Sequence, residues 1–263
     1  MKVYYWSPFI SHVATTTAVI NSIKSISKYS KGKFNCLIVD VFREWEPYLN
    51  ELSLNKINVK KLDSFLNIKH LPKNGYFKSR LTYILAFIFT IFKLHNLIRK
   101  EKPQYFIMHL ITSIPLSLLL LFNYDTKFIL RISGYPKLNI FRKFLWKINA
   151  SKLNLITCPT IELKTQLEKK KIFNNKKVFY LPDAIINLKE YSNNTNKETT
   201  KLNFTLNKKI ILSAGRLTKQ KNFIYLINEF ENFYRFNKNF ILVILGDGED
   251  RKLLENTIKE KKL

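Results

Sequence analysis

The sequence is poor in cysteine and in acidic residues, and both shortages limit what the protein can be. Its 263 residues include two cysteines, Cys36 and Cys158, which lie far apart with no histidine or cysteine near either at metal-ligand spacing. A disulfide framework and a zinc site are therefore not indicated. We expect both cysteines to be small buried hydrophobic residues, and we predict no bound metal.

Only 19 acidic residues oppose 45 lysines and arginines, which leaves a formal net charge of +26. Such a balance would ordinarily favour nucleic-acid binding. The lysines are scattered, however, and accompany an excess of Asn, Ile, Phe and Tyr over Ala and Gly, which indicates codon bias more than a selected basic face. We therefore predict no specific nucleic-acid partner. An anionic membrane surface remains a predicted partner, since each basic residue near a bilayer contributes about 1 kcal/mol.

The amino terminus lacks a basic start followed by an apolar stretch and a small-residue cleavage site. Residues 1–10 instead read as a strand that ends at Ser7-Pro8. The sequence thus predicts a cytoplasmic protein, bound peripherally at the inner face of the membrane.

Alternating apolar strands and helices predict an α/β fold with two Rossmann-like domains. Residues 1–187 form the predicted first domain and residues 188–263 a partial second one, with the polar stretch Leu188 to Asn207 as linker. The predicted strands are Lys2–Trp6, Phe34–Val39, Val59–Lys61, Tyr105–Met108, Lys127–Ile132, Leu155–Cys158, Val178–Leu181, Lys209–Ser213 and Ile241–Leu245.

Two hydrophobic stretches need to be weighed as membrane segments. In Leu81 to Leu94 the uninterrupted apolar core, Tyr83 to Phe89, is too short to span a bilayer. It predicts either a core helix packed on the first sheet or an interfacial helix held by the basic flanks Lys78, Arg80, Lys93, Arg99 and Lys100. The second stretch, Tyr105 to Phe122, is interrupted by polar residues and predicts a strand, a loop and a helix that starts near Pro115.

The most specific pattern begins with the predicted strand at Lys209. This strand runs into Gly215, then Arg216, then Lys221, and a helical apolar spacing starts at Asn222. An arginine offers a fork of donors to a diphosphate, a lysine adds a point charge, and a helix amino terminus points its N–H groups the same way. The sequence therefore predicts a phosphate site at this turn, the alternative being a solvated basic turn.

This Gly-Arg-Leu-x-x-x-Lys pattern resembles the donor-domain signature of the GT-B glycosyltransferases of family four. The segment Ile241 to Glu255 is similar to the next strand, turn and helix of that family, and Val3 to Thr17 to its first strand and loop. The segment Val178 to Ala184 is similar to the strand that closes the acceptor domain, although the family more often has Asn-Gly in place of Asp183-Ala184.

The resemblance implies a fold of GT-B type, with an acceptor-side domain and an incomplete donor domain. It implies retaining transfer of a sugar from a nucleotide diphosphate sugar to a lipid-linked or oligosaccharide acceptor, in the synthesis of a bacterial surface polysaccharide such as lipopolysaccharide. No cofactor is implied. Arg216 and Lys221, beside Gly215, would stabilise the charge on the leaving diphosphate. His109 would be the catalytic histidine facing the sugar, and a hydrogen-bonded structural histidine is the alternative.

Four further residues are candidates for the cleft, each with a plainer alternative. His12 and Thr15 lie in the first loop, where many members of the family have a Gly-Gly pair that this chain lacks. Arg131 ends a strand and would face either the cleft or a partner in a surface salt bridge. Gly246, in the turn Gly246-Asp247-Gly248, would contact the donor or serve the turn itself, with Asp247 capping the next helix.

Members of this family continue with more βα units and a pair of glutamates about two helical turns apart, and this sequence ends at Leu263 without them. We interpret it as a truncated gene product or fragment. Two other functions stay open at this point. One is an inactive remnant that retains diphosphate affinity, and the other is a basic binder of membrane surfaces or nucleic acid without enzymatic action.

Overall fold

A computed structural model of the chain describes residues 1–10, 14–62, 67, 76–136, 138–185 and 208–263, with the backbone alone for 76–80. The chain divides into two compact units, Met1–Ser192 and Asn193–Leu263. The predicted boundary after residue 187 and the predicted linker Leu188 to Asn207 lie outside the described residues, so both stay predictions.

Unit 1 contains a parallel seven-stranded sheet in the order β3-β2-β1-β4-β5-β6-β7. Its strands are β1 Lys2–Trp6, β2 Asn35–Asp40, β3 Asn58–Lys61, β4 Tyr105–Met108, β5 Lys127–Arg131, β6 Leu153–Cys158 and β7 Val178–Tyr180. The predicted strands are confirmed to within two residues at each end. They were predictable because strands of a parallel sheet that is covered on both faces read as short apolar runs.

The helices of unit 1 cover both faces of this sheet. They are α1 Thr15–Tyr29, α2 Leu49–Leu54, α3 Tyr76–Glu101, α4 Ser113–Leu121, α5 Ile140–Asn149 and α6 Ile161–Lys169. Side chains alternate between the faces along β1, so that Tyr4 and Trp6 join the core under α3 to α6. Val3 and Tyr5 join a smaller core under α1 and α2. Cys36 and Cys158 are buried and free, as predicted.

Helix α3 is much longer than the predicted segment Leu81 to Leu94. Among the described residues, Leu81–Glu101 is one helix long and apolar enough to cross a membrane, by length and composition alone, and 28% of its most apolar window is buried. The helix extends beyond the predicted segment because it continues past the apolar core Tyr83 to Phe89, through Leu94 and Ile98 to Glu101. Those last turns pack on the sheet. The predicted helix near Pro115 is α4, which begins two residues earlier.

Unit 2 is smaller, and its described residues begin at 208. Two parallel strands, β8 Lys209–Ala214 and β9 Phe240–Leu245, pair along their whole length. Helices α7 Phe223–Tyr234 and α8 Arg251–Glu260 follow these strands. Buried side chains of these helices and of the turn after β8 form a small core, made of Leu217, Phe223, Ile227 and Leu254. This β-turn-α-β-turn-α arrangement is the one predicted.

Candidate functional site

The turn after β8 holds the predicted phosphate-binding residues close together. The Gly215 N–H donates to the Leu245 carbonyl at 2.9 Å, which extends the strand pair by one step. The hydrocarbon stem of Lys221 lies over Gly215, since a Cβ added at Gly215 would sit 3.7 Å from Cε of Lys221. Arg216 is the next residue along the chain. Gly215, Arg216 and Lys221 therefore share one small surface at the carboxyl ends of β8 and β9.

The side chains of both cations in this turn are exposed to solvent. The side chains of Arg216 and Lys221 form no hydrogen bond or ion pair with any other residue that the structure describes. Helix α7 begins at Phe223, one residue later than predicted, because Asn222 adopts a left-handed conformation with φ of 50°. The Asn222 side chain makes no capping hydrogen bond, so the first N–H groups of α7 are not satisfied by it. Free donors and free positive charge thus occur together, which suits an anion.

The neighbouring turn, residues 246–250, supports this surface by close backbone packing. A Cβ at Gly246 would meet the Gly215 carbonyl oxygen at 1.9 Å, and a Cβ at Gly248 would meet the Leu217 carbonyl oxygen at 2.3 Å. The Leu217 N–H donates to the Asp247 carbonyl at 3.0 Å. Both glycines are needed because two backbones touch there. Gly246 therefore serves the turn itself, the alternative given above.

The predicted cap of the last helix was wrong. Asp247 Oδ1 accepts from the Gly248 N–H at 2.9 Å and lies 3.7 Å from the Arg251 guanidinium. The Asp247 carboxylate accepts no hydrogen bond from the backbone N–H groups in the first turn of α8. The N-cap of α8 is Asp250, and it makes no side-chain capping bond. The turn is longer than the spacing suggested, because the Asp250 N–H pairs with the Leu217 carbonyl before the helix starts.

Unit 1 presents a row of polar side chains across the carboxyl edge of its sheet. The register aligns Val39, Trp6 and Met108 on β2, β1 and β4. It continues through Leu130 of β5 to Ile156 of β6. One residue further along each strand are the members of the row, Asp40, Ser7, His109, Arg131 and Thr157. Side chains at matched positions of a parallel sheet point to the same face, so these five are neighbours.

His109 occupies the middle of this row in a partly buried position. The backbone N–H of His109 donates to the Trp6 carbonyl at 2.9 Å, and the imidazole ring stacks on Tyr5 with centroids 6.0 Å apart. Burial, and secondarily the charge of Arg131, lower the pKa of His109 from 6.5 to about 3. Buried Nδ1 has no hydrogen-bond partner among the described residues. His109 is thus a neutral imidazole at neutral pH, with one nitrogen left unpaired rather than satisfied as the structural alternative required.

Arg131 forms a salt bridge, the second of its predicted alternatives, but not at the surface. Its guanidinium is 4% exposed and donates to the Leu181 carbonyl and to Asp183 Oδ1, both at 2.6 Å. The buried guanidinium is therefore not an open cleft cation, and its partner Asp183 is 20% exposed. Asn21 of α1 donates to the Ala184 carbonyl at 2.7 Å. The segment that follows β7 is therefore fastened along the carboxyl edge of the sheet by β5 and by α1.

The acidic end of the row was missed by sequence reasoning. Asp40 and Glu44 are both buried, and the Glu44 carboxylate accepts hydrogen bonds from the N–H groups of Val41 and Phe42. Burial, then hydrogen bonding to and repulsion from Asp40, raise the pKa of Glu44 well above its ordinary value. The Glu44 carboxyl group therefore holds a proton to a higher pH than an exposed glutamic acid does. The available signal was an acidic residue closing an apolar strand, Leu37 to Asp40.

Three more polar groups near this edge have no partner in the part of the chain that the structure describes. They are the Ser7 hydroxyl, Asp40 Oδ1 and the Trp45 indole N–H. Unpaired buried polar groups cost free energy and are uncommon in native folds, so their concentration at one edge indicates a place for a polar ligand. No group of three or more potential metal ligands occurs among the described residues.

The two cleft residues predicted in the first loop are His12 and Thr15. His12 lies outside the described residues. Thr15 is the first residue of α1 and is partly buried, and the preceding Ala14 provides no side-chain cap. Thr15 thus lies at the start of α1, and whether this loop contacts a donor stays a prediction.

Comparison with known proteins relates the two units to known families in different ways. Residues 194–263 match the family described as Glycosyl transferases group 1. An uncharacterized glycosyltransferase of Methanocaldococcus jannaschii is 27% identical over 202 residues, which cover 71% of this chain and 50% of the relative. The chain thus spans half the length of that relative.

Solved structures share the architecture of the whole chain at low sequence identity. TarM of S. aureus, solved with UDP, has a TM-score of 0.62 at 9% identity, covering 100% of this chain and 75% of its own. Anabaena HepE, solved with UDP and glucose, has a TM-score of 0.65 at 10% identity, covering 100% and 67%. A UDP-GlcNAc 2-epimerase of Neisseria meningitidis has a TM-score of 0.59 at 15% identity, covering 99% and 70%. By fold the chain is therefore an α/β protein of GT-B type, and by sequence its second unit is related to the group 1 glycosyl transferases.

Proposed function

We propose that this chain serves a glycosyltransferase reaction in which a sugar passes from a nucleotide diphosphate sugar to a lipid-linked or polysaccharide acceptor. The observation that carries the proposal is the pair of exposed, unpaired cations Arg216 and Lys221 beside Gly215. They lie in the part of the chain that matches the glycosyl transferase family. The UDP-bound relatives of the same fold support a nucleotide sugar as the donor.

The proposed chemistry breaks the bond between the anomeric carbon and the diphosphate and forms a bond from that carbon to an acceptor hydroxyl oxygen, with retention of configuration. The hydroxyl proton passes to the leaving diphosphate. Negative charge grows on the leaving diphosphate, and the two cations stabilise it more in the transition state than in the ground state. A unit charge about 4 Å away contributes roughly 4 kcal/mol at an effective dielectric of 20. Exposure of this turn to water makes the effect smaller. The proposal requires no cofactor.

In unit 1 the polar row is the proposed place for acceptor or sugar hydroxyls. Neutral His109 suits this role because an uncharged imidazole both accepts and donates a hydrogen bond. In this proposal His109 is the catalytic residue of unit 1. The biological setting we propose is bacterial surface polysaccharide synthesis, with the protein in the cytoplasm and bound peripherally to the inner face of the membrane.

Donor binding is the direct test. Calorimetric titration with UDP should show binding that the double substitution Arg216→Ala and Lys221→Ala weakens by about 100-fold or more, since two phosphate contacts are lost. The matched control is Lys252→Ala with Lys259→Ala, two exposed cations on α8 of the same unit. Equal affinity in both double variants would remove the phosphate-site assignment.

Because UDP-N-acetylglucosamine 2-epimerases share this fold, the products must be analysed as well. Incubation with a panel of UDP-sugars and a lipid-linked acceptor extract should release UDP only when acceptor is present. Conversion of UDP-N-acetylglucosamine to its 2-epimer without acceptor would overturn the transferase proposal and leave the phosphate site intact.

A further inference from the structure

The surface of unit 1 formed by α3 and α5 exposes large apolar side chains that the protein core does not use. Helix α3 has an unusual distribution, because its buried positions in the first half hold small or polar residues, Thr82, Ala86 and Thr90. Its exposed positions hold large apolar ones, listed as Leu81, Tyr83, Ile84, Phe87, Ile88, Phe89 and Phe92. A helix built only to cover a sheet has the opposite distribution.

Helix α5 repeats this feature with basic residues beside it. Ile140, Phe144 and Ile148 are spaced four apart and form one exposed stripe, in which Ile140 is 90% exposed. Lys143 and Lys147 are exposed along the border of that stripe. The core-facing side is separate and consists of Leu145, Trp146 and Asn149.

The two helices lie on the same face of the sheet. Both contact α4, most of whose side chains are buried. The Asn149 side chain of α5 donates to the Leu116 carbonyl of α4 at 3.0 Å. Three residues separate the end of each helix from the next strand, so the amino-terminal ends of both helices lie toward the carboxyl edge of the sheet. The exposed apolar stripes of α3 and α5 therefore flank α4 on one side of unit 1.

We infer that this α3–α5 face docks unit 1 onto an anionic lipid bilayer, with the apolar side chains in the headgroup region and Lys143 and Lys147 at the phosphates. This deepens the membrane location proposed above and rests on it. Soluble monomers rarely expose contiguous apolar patches larger than about a few hundred Å². An apolar stripe bordered by lysines is the distribution of helices that lie in a membrane interface.

Charge favours a lipid over a second copy of the chain. Each copy carries a formal charge of +26, so that two copies repel, whereas an anionic surface attracts. Helix α3 lies on the bilayer and does not cross it, because Leu94 and Ile98 are buried in the core. Glu101 at its end also pairs with Lys2 of β1 at 2.8 Å.

The test is co-sedimentation of the full chain with vesicles of phosphatidylcholine alone and of phosphatidylcholine with phosphatidylglycerol. We expect binding to the anionic vesicles only, released by salt. Lys143→Gln with Lys147→Gln should weaken it about tenfold or more, because each basic residue near the surface contributes appreciably. The control Lys28→Gln with Lys33→Gln removes the same charge from exposed positions at the end of α1, on the opposite face. Equal loss in both double variants would show that net charge alone causes binding and would overturn the proposal.

Apolar contact needs its own readout. Ile140→Ser with Phe144→Ser should abolish sedimentation at low salt, and Leu54→Ser on α2, equally exposed, should not. The emission of an environment-sensitive fluorophore attached to Ile140→Cys should shift to the blue with anionic vesicles, while that of one on Leu54→Cys should not. Labelling is selective for the introduced cysteine because both native cysteines are buried. A stable dimer without lipid that Phe144→Ser dissociates would assign the face to a second copy and overturn the proposal. UDP binding needs none of these residues, so failure here leaves the donor proposal standing.

Discussion

The two candidate regions differ in how their charges are used. In unit 1, Arg131 is buried, is bound to Asp183 and Leu181, and is 52 residues away from its acidic partner. In unit 2, Arg216 and Lys221 are exposed, lie five residues apart and have no partner among the described residues. The buried charge organises the protein, whereas the exposed pair is available to a ligand. Removing the buried charge should therefore destabilise the fold. Removing the exposed pair should instead weaken ligand binding and leave the stability of the fold nearly unchanged.

The largest effect on stability is expected at the buried pair. Arg131→Met should lower the free energy of unfolding by about 3–5 kcal/mol, because Asp183 loses its partner in a poorly solvated place. Urea denaturation measures this. The surface pair of Arg235 and Glu231 in unit 2 is the control, and Arg235→Met should cost less than about 1 kcal/mol. If Arg131→Met costs no more than Arg235→Met, the distinction between a buried structural charge and exposed charges is wrong.

The next effect concerns the backbone contact that supports the phosphate turn. Gly246→Ala should destabilise unit 2 by roughly 1–3 kcal/mol, as overpacking does, because the new Cβ would overlap the Gly215 carbonyl. Hydrogen exchange should accelerate in β8 and β9 and stay unchanged in β1 to β7. Gly134→Ala in unit 1 is the control, since a Cβ there meets nothing within 4 Å. Uniform acceleration in both units would contradict the independence of unit 2.

The third effect depends on pH and belongs to the polar row of unit 1. The pKa of His109 is about 3 in the folded protein, below its ordinary 6.5, so the unfolded chain takes up the proton first. The contribution of His109 to the free energy of unfolding is fully present above about pH 6.5. It is lost as the pH falls toward 3, at no more than about 1.4 kcal/mol per pH unit. His109→Gln should flatten this part of a stability profile measured by urea unfolding.

Glu44 should act in the opposite direction. Because its pKa is raised, its contribution is present below its ordinary pKa and is lost as the pH rises. Glu44→Gln should therefore flatten the profile on the alkaline side of that value and leave it unchanged on the acidic side, where of these two groups only His109 contributes. An identical profile in His109→Gln and the parent protein would indicate that the imidazole is solvated and not part of the buried row.

The smallest effect on stability is expected from the phosphate turn itself. Arg216→Ala with Lys221→Ala should change the free energy of unfolding by less than about 0.5 kcal/mol, since exposed side chains without partners contribute little to folding. The same variant should lose UDP binding. Thermal unfolding with and without UDP measures both properties in one experiment, because ligand stabilisation follows affinity. A loss of stability without ligand would show that the two cations have structural partners.

The phosphate turn and the strands were predictable because the information for each lies within a few consecutive residues. β8, Gly215, Arg216 and Lys221 occur in one stretch, and an apolar strand followed by a glycine turn and a helix has few other structures. The polar row was only partly predictable. His109 was identified because it follows a strand, and Arg131 because it ends one. Asp40 and Ser7 became candidates only when the register placed them in the same row as His109, and Glu44 only when it was found buried close to Asp40.

The sequence by itself determined the order of strands and helices, the α/β class and the local grouping of cations after β8, because short-range periodicity and turn chemistry govern these features. The tertiary structure alone decided that Arg131 is bound to Asp183, that Asp40 and Glu44 are both buried, and that the large apolar side chains of α3 face outward. Each of these depends on strand register or on which side of a helix is covered, and register joins residues that are far apart in the chain.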